Sequence, residues 1–203
     1  ELATRHLLDL GHERIAFVGD LADGGFGFTS SEDRHEGYRR ALASRGLEAS
    51  DELVRTGPHE RRAAAELAGD LLALPQPPTA IFAASDTQAL GVLQAATAAG
   101  IAVPDGLSVV GFDDIDLASY VGLTTVRQPL FESGRLGADH LLAELVEPSG
   151  RAQEELLPLD LVVRSTTGPP ATRCSAPWPP AAGTRPGSPC ASRCGRGRRS
   201  PAG

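Results

Sequence analysis

Apolar and polar positions alternate along this chain in blocks of two lengths. Short buried-type runs at Arg14 to Gly19, Leu53 to Thr56, Ala80 to Ala83 and Leu107 to Val110 have the length of strands. Longer stretches between them repeat their apolar residues every three or four positions. Tyr38, Ala41 and Leu42 form one such face; Ala64, Leu67, Ala68, Leu71 and Leu72 form another, and Leu90 and Leu93 a third. Helix stops fall where these faces end: Gly11 after Leu2 to Leu10, then Gly46, Pro75 and Gly100. Ser30 with Asp33 marks the start of the helix that closes at Gly46. We count four strand-helix alternations through Gly100, so Leu107 opens a fifth strand, with His59 after the third and Asp113 at the end of the fifth. Leu123 to Arg127 is a short strand or crossing segment, and a helix follows from about Glu132 to Val146. Leu156 to Val163 makes a last strand that Pro158 directs to an edge.

Strands alternating with helices of this length imply crossover connections and a parallel sheet covered on both faces, a doubly wound α/β fold. The carboxyl ends of the strands then share one edge, where ligands bind. Two apolar runs stop abruptly in polar residues, one at Ser85-Asp86 and the other at Gly111-Phe112-Asp113-Asp114. That edge is therefore expected to hold a pocket for a small polar molecule.

Charge divides the chain into a body and a tail. All 26 acidic residues lie between Glu1 and Asp160 and face only thirteen arginines before Gly168, a balance of −13; six tail arginines bring the chain to −7. A body this acidic repels phosphates and is a poor grip for DNA. The three cysteines, Cys174, Cys190 and Cys194, all lie in the tail, leaving the body without disulfides or thiolate metal ligands, as suits a cytoplasmic protein. From Gly168 the sequence is rich in Pro, Gly and Arg without periodicity, and disorder is the expectation over 168–203. Cys190-x-x-x-Cys194 and the GRGRR run weigh less as metal or nucleic-acid sites than as parts of such a tail. No apolar run has the length of a membrane span. The chain lacks methionine, so Glu1 is expected to be the start of a fragment or a processed product. Lysine and asparagine are absent too, as GC-rich coding would produce.

Catalytic sets are not found. There is no G-x-S-x-G elbow, no H-E-x-x-H, and the five histidines lack ligand spacing; neither a metal nor a cofactor is expected. Gly24, Gly25 and Gly27 fit neither the complete P-loop nor the dinucleotide pattern, and the loop Asp20 to Thr29 reads as a pocket edge.

The words PPTAIFAASDTQALGVL, GIAVPDGLSVVGFDDIDLASY and LTTVRQP, with GHERIAFVGD, SEDRHEGYRRAL and LPLDLVVRST, resemble the effector-binding core of the lactose repressor/galactose repressor family of transcriptional regulators, in the family's order from residue 2 to about 167. The resemblance implies a periplasmic-binding-protein-like core of two lobes joined by three crossing strands. Residues 12–128 and 153–167 match its C-terminal lobe. Residues 1–11 match the last helix of an otherwise missing N-terminal lobe, 129–150 another helix of that lobe, and both helices are expected to expose apolar faces. The helix-turn-helix that would bind operator DNA is absent. Implied partners are a sugar or nucleoside-like effector and, at full length, a second copy in a cytoplasmic homodimer. An extracytoplasmic sugar-binding protein of a transporter is the alternative with the same fold, and a nucleotide-dependent enzyme is more distant because no G-x-G-x-x-G follows a strand.

By that resemblance Asp113 contacts ligand, a carboxylate being able to accept from two neighbouring hydroxyls; its competing role is to brace the following loop, as Asp114 and Asp116 do. Arg34 stands where the family's arginine forks onto ligand oxygens. Ser85 takes the place of the family's usual asparagine and also opens an S-x-x-Q capping box with Gln88, while Asp86 reads as a helix-dipole partner. His59 replaces an aromatic that stacks on ligand. Gln128 either reaches the ligand or bonds to backbone between lobes. Phe112 and Tyr120 read as packing residues.

Overall fold

Six strands form one sheet in the order β2-β1-β3-β4-β5-β6 in the computed structural model, which describes residues 1–20, 29–148, 150 and 154–171. The strands are β1 (Ile15–Asp20), β2 (Val54–Gly57), β3 (Ala80–Ala83), β4 (Ser108–Asp113), β5 (Thr124–Arg127) and β6 (Asp160–Val162). The first five pair in parallel and β6 runs antiparallel along β5. Helices α1 (Leu2–Asp9), α2 (Ser30–Ala43), α3 (Arg61–Leu72), α4 (Asp86–Ala98), α5 (Asp116–Tyr120) and α6 (Leu130–Val146) complete the chain. Most of the Asp20 to Thr29 loop, and all of the tail beyond Ala171 with its cysteines and GRGRR run, lie outside the described residues.

The two-residue period of the strands sorts side chains onto two cores. Ala16, Val18, Ile81, Ala83 and Val109 face α3, α4 and α5, where Ala64, Ala68, Leu71, Ala89, Val92 and Ala118 meet them. Ile15, Phe17, Ala80, Phe82, Val110 and Val126 face the other way, toward Ala3, Leu7 and Leu8 of α1 and Tyr38, Ala41 and Leu42 of α2. Both faces of the central strands are thus buried, which is why their sequences read as continuous apolar runs. Tyr38 is fully buried; its hydroxyl donates to the Ile15 carbonyl at 2.8 Å, and burial pushes its pKa up to about 12. Helices α3 and α4 approach so closely that a Cβ on Gly91 would stand 2.3 Å from the Arg61 carbonyl oxygen.

Four expectations change. Leu107 opens the fourth strand, not the fifth, and His59 follows the second, because α1 precedes β1 and contributes a helix without a strand of its own. Helix α1 does not stand apart with an exposed face: Leu7 and Leu8 are buried in the same core as α2. Tyr120, expected to pack, is 85% exposed on α5. Helix α6, by contrast, buries no residue, and Phe131, Leu141, Leu142, Leu145 and Val146 are exposed. The last strand is shorter than Leu156 to Val163, but it does form the sheet edge.

The amino-terminal ends of the strands are closed by a polar network around His12, which is buried. Its Nε2 lies 2.8 Å from the Gly168 carbonyl, which can only accept, so this nitrogen carries the proton. Nδ1 then accepts from Thr79 Oγ1 at 2.9 Å, and Ser108 Oγ donates to the same Gly168 carbonyl at 3.0 Å. Thr166 adds bonds to Val109 and Thr124, and Thr167 meets His6 and Thr124. The segment after β6 is thereby sewn across the sheet.

Candidate functional site

The opposite edge gathers the polar residues. β1 ends at Asp20, β3 runs into Ser85 and Asp86, β4 ends at Asp113, and β5 leads to Gln128. Ser85 and Asp113 follow adjacent parallel strands and leave the sheet on the same edge.

Asp113 is the centre of this edge. Its Oδ1 accepts from Gln128 Nε2 at 2.6 Å, and Arg34 Nη2 lies 3.7 Å away. Its side chain is 24% exposed. Burial pushes the carboxyl above its usual range against the pull of Arg34 and of the Gln128 bond. Arg34 comes from α2 and crosses to the end of β3, where Nη1 donates to the Ala84 carbonyl at 2.7 Å; its guanidinium also lies 4.0 Å from the centre of the Phe112 ring. Burial lowers the Arg34 pKa, with Asp113 and Asp20 acting to raise it. One face of the cation is thus fixed by backbone and ring, and the rest is turned toward carboxylates.

Asp113 and Asp114 have φ of 121° and 60°, backbone conformations that non-glycine residues rarely adopt and that concentrate at binding sites. The turn sends the two carboxylates to different tasks. Asp114 is held by Arg127 Nε and Arg164 Nη2, each at 2.7 Å; burial raises its pKa, but the two arginine bonds outweigh that and leave it below the usual range. Asp114 therefore braces the loop, as expected, and Asp113 is left for the rim.

Ser85 is buried, and its Oγ accepts from the Gln88 N–H at 3.2 Å, the forward half of a capping box. In place of the return bond to the Ser85 N–H, Gln88 Oε1 accepts from Ser85 Oγ at 3.3 Å, and Gln88 Nε2 donates to Asp20 Oδ1 at 2.9 Å. Asp86 is buried beside it, with burial raising its pKa while Thr125 Oγ1 and the Ile115 N–H donate to its carboxylate at 2.5 Å and 2.9 Å. This tie explains Gly111, where a Cβ would come within 2.2 Å of Asp86 Oδ1. His59, half exposed, places Nδ1 3.0 Å from Asp20 Oδ1.

The structure therefore brings Arg34, Asp113 and Gln128 into one connected group and ties His59 to Asp20 beside it, while Ser85 is turned to the start of α4. Gln128 bonds to the Asp113 side chain rather than to backbone. Sequence reasoning missed Asp20 and the outward role of Gln88. The position of Asp20 at the end of a strand on the ligand edge was the available signal. Among the described residues no group of three His, Cys, Asp or Glu side chains is arranged to hold a metal ion, and no helix is long and apolar enough to cross a membrane.

Comparison with known proteins agrees with this architecture. The periplasmic binding protein-like domain family matches residues 4–167. The ribose operon repressor of Escherichia coli is 38% identical over 162 residues, covering 78% of this chain and 48% of that repressor. A solved LacI transcriptional regulator from a Rhodococcus species is 35% identical with a TM-score of 0.74, covering 84% of this chain and 62% of the other. A LacI family transcriptional regulator from Enterococcus faecium, solved with bound ribose, is 30% identical with a TM-score of 0.73, covering 83% and 61%. The chain spans about half the length of the curated relatives it matches. With a parallel sheet of this order, its polar carboxyl edge and these relatives, the chain belongs to the periplasmic-binding-protein-like domain family, in the branch of the LacI-type transcriptional regulators.

Proposed function

We propose that the edge formed by Arg34, Asp113 and Gln128 is half of an effector site in a cytoplasmic transcriptional regulator, and that its ligand is a sugar or a related small metabolite. The observation that carries this reading is the half-used carboxylate of Asp113. Its Oδ1 is held by an amide and faced by a cation, while among the described residues its Oδ2 accepts no hydrogen bond. A partly buried carboxylate in that state gains when a hydroxyl arrives. His59 is exposed enough to meet a ligand, and Ser85 acts by fixing α4 under the site.

Helix α6 supports the second half of the reading. Its unburied apolar side chains suit a lobe lying across the edge, to which residues 129–150 would belong, and ligand held between the lobes would favour one arrangement over another. In the full-length protein that difference would be passed, in a homodimer, to a helix-turn-helix on operator DNA. The relatives compared are a repressor and transcriptional regulators, which favours this over a transporter's binding protein. Upstream coding sequence discriminates: a helix-turn-helix supports the regulator, and a secretion signal overturns it. The site itself is tested by thermal shift of the full-length protein with ribose, other sugars and nucleosides. We expect a stabilising shift that is lost in Asp113→Ala; an unchanged shift removes Asp113 from the site.

A further inference from the structure

Asp20 and Asp113 are built alike. Asp20 ends β1 and Asp113 ends β4, with β3 between them, so two strand spacings, about 10 Å of sheet edge, separate their backbones. Each carboxylate commits Oδ1 to a glutamine amide, Gln88 at 2.9 Å and Gln128 at 2.6 Å. Each has a basic neighbour, His59 at 3.0 Å and Arg34 at 3.7 Å. Both side chains are 24% exposed, and among the described residues neither Oδ2 accepts a hydrogen bond. Nothing in the packing requires a carboxylate at Asp20, since an amide oxygen would accept from Gln88 equally well. A charge held there, partly out of water, is costly unless a donor reaches it. Arg34 sits across the end of β3, bonded to Ala84, within electrostatic reach of both acids.

Resting on the function proposed above, we infer that Asp20 is a second ligand-gripping carboxylate, and that the two free oxygens select a neutral polyol donating hydroxyls at two separated points over its carboxylate-bearing counterpart. Two fixed acids share the field of one arginine, which pairs with Asp113 and lies within electrostatic reach of Asp20. A neutral sugar supplies donors to each. A uronate supplies donors too, but brings a third negative charge to a partly desolvated edge, where like charges repel more strongly than in water.

Calorimetric titration of the full-length protein with D-ribose, D-glucose and D-galactose, and with D-glucuronate and D-galacturonate, tests this. At least one neutral sugar should bind more tightly than either uronate. Asp20→Asn should weaken that sugar about ten-fold or more and narrow its preference over the uronates, with an unchanged melting temperature of the unliganded protein. Loss of binding in Asp113→Ala with unchanged affinity and preference in Asp20→Asn overturns the role of Asp20 and leaves the site reading intact. Sugar binding indifferent to both variants, or no binding by the wild type, overturns the site reading and this inference together. A wild type that prefers a uronate overturns the inference without recourse to any variant.

Discussion

The two ends of the sheet are both lined with buried or half-buried polar groups, yet they are finished in opposite ways. At the amino-terminal end, His12 uses both ring nitrogens, and Ser108, Thr79 and Gly168 answer them. At the carboxyl end, Asp113 and Asp20 each leave an oxygen unanswered among the described residues, and two residues sit at positive φ. A satisfied network rigidifies the fold, whereas unspent acceptors on a rigid support are what a ligand can use. The comparison separates stability from binding by position, and variants at the two ends should separate them in measurement.

The largest effect is expected from Asp113→Ala. Removing a charged acceptor forfeits about 1.5–3 kcal/mol of ligand binding, roughly ten- to a hundred-fold in affinity, while stability stays near wild type because the lost carboxylate was itself held in a costly place. Titration calorimetry and thermal unfolding read the two quantities, and a large stability loss with intact binding would break the comparison at this end. His12→Ala should do the reverse. It takes one partner from each of Thr79, Ser108 and the Gly168 carbonyl, which keep only their bonds to the Arg14 carbonyl and to one another, costing about 1–3 kcal/mol in denaturant unfolding, and should leave ligand affinity unchanged.

Acid sharpens the same contrast. Burial lowers the pKa of His12, and of His6 and His35, so the unfolded chain takes up protons first. Stability is then full above about pH 6.5 and falls as pH drops through that value toward the folded pKa values. Asp86 and Asp113, both raised by burial, act in the opposite sense: the folded chain protonates them first, so they add stability as pH falls through their folded values toward the unfolded carboxylate value of ~4. Unfolding free energies measured between pH 7 and pH 5 should decline in wild type and decline less in His12→Ala. Smallest is Leu145→Ser on the exposed face of α6, expected to change unfolding free energy of this chain by no more than about 0.5 kcal/mol. A greater loss would mean that this face is packed within the chain itself.

Much of this was legible in the residues, for reasons that differ from place to place. Phe17 and Val18 are neighbours in sequence and enter opposite cores, which the unbroken apolar run announced, since only a strand covered on both faces has that pattern. Ser85 and Gln88 carried a cap signal, and the forward bond is present. What the signal could not carry was the direction of the Gln88 amide, because its partner Asp20 lies 68 positions away and becomes a neighbour only when β1 and β3 pair. The exposed apolar face expected of helix α1 followed from the resemblance, which matched residues 1–11 to another lobe; its burial depends on α2 and the sheet folding beneath it, contacts that its eight residues do not announce.

By itself the sequence determined the alternation of elements, the parallel sheet and the edge at which chemistry would collect, because periodicity and strand-end composition are local properties that secondary structure reads directly. Tertiary structure alone decided which acids are braces and which are open. Asp113 and Asp114 are adjacent and chemically identical, and only a turn at positive φ, two arginines from β5 and the segment after β6, and one glutamine distinguish them. A carboxylate's role is set by the donors that reach it, and those donors arrive from distant parts of the chain.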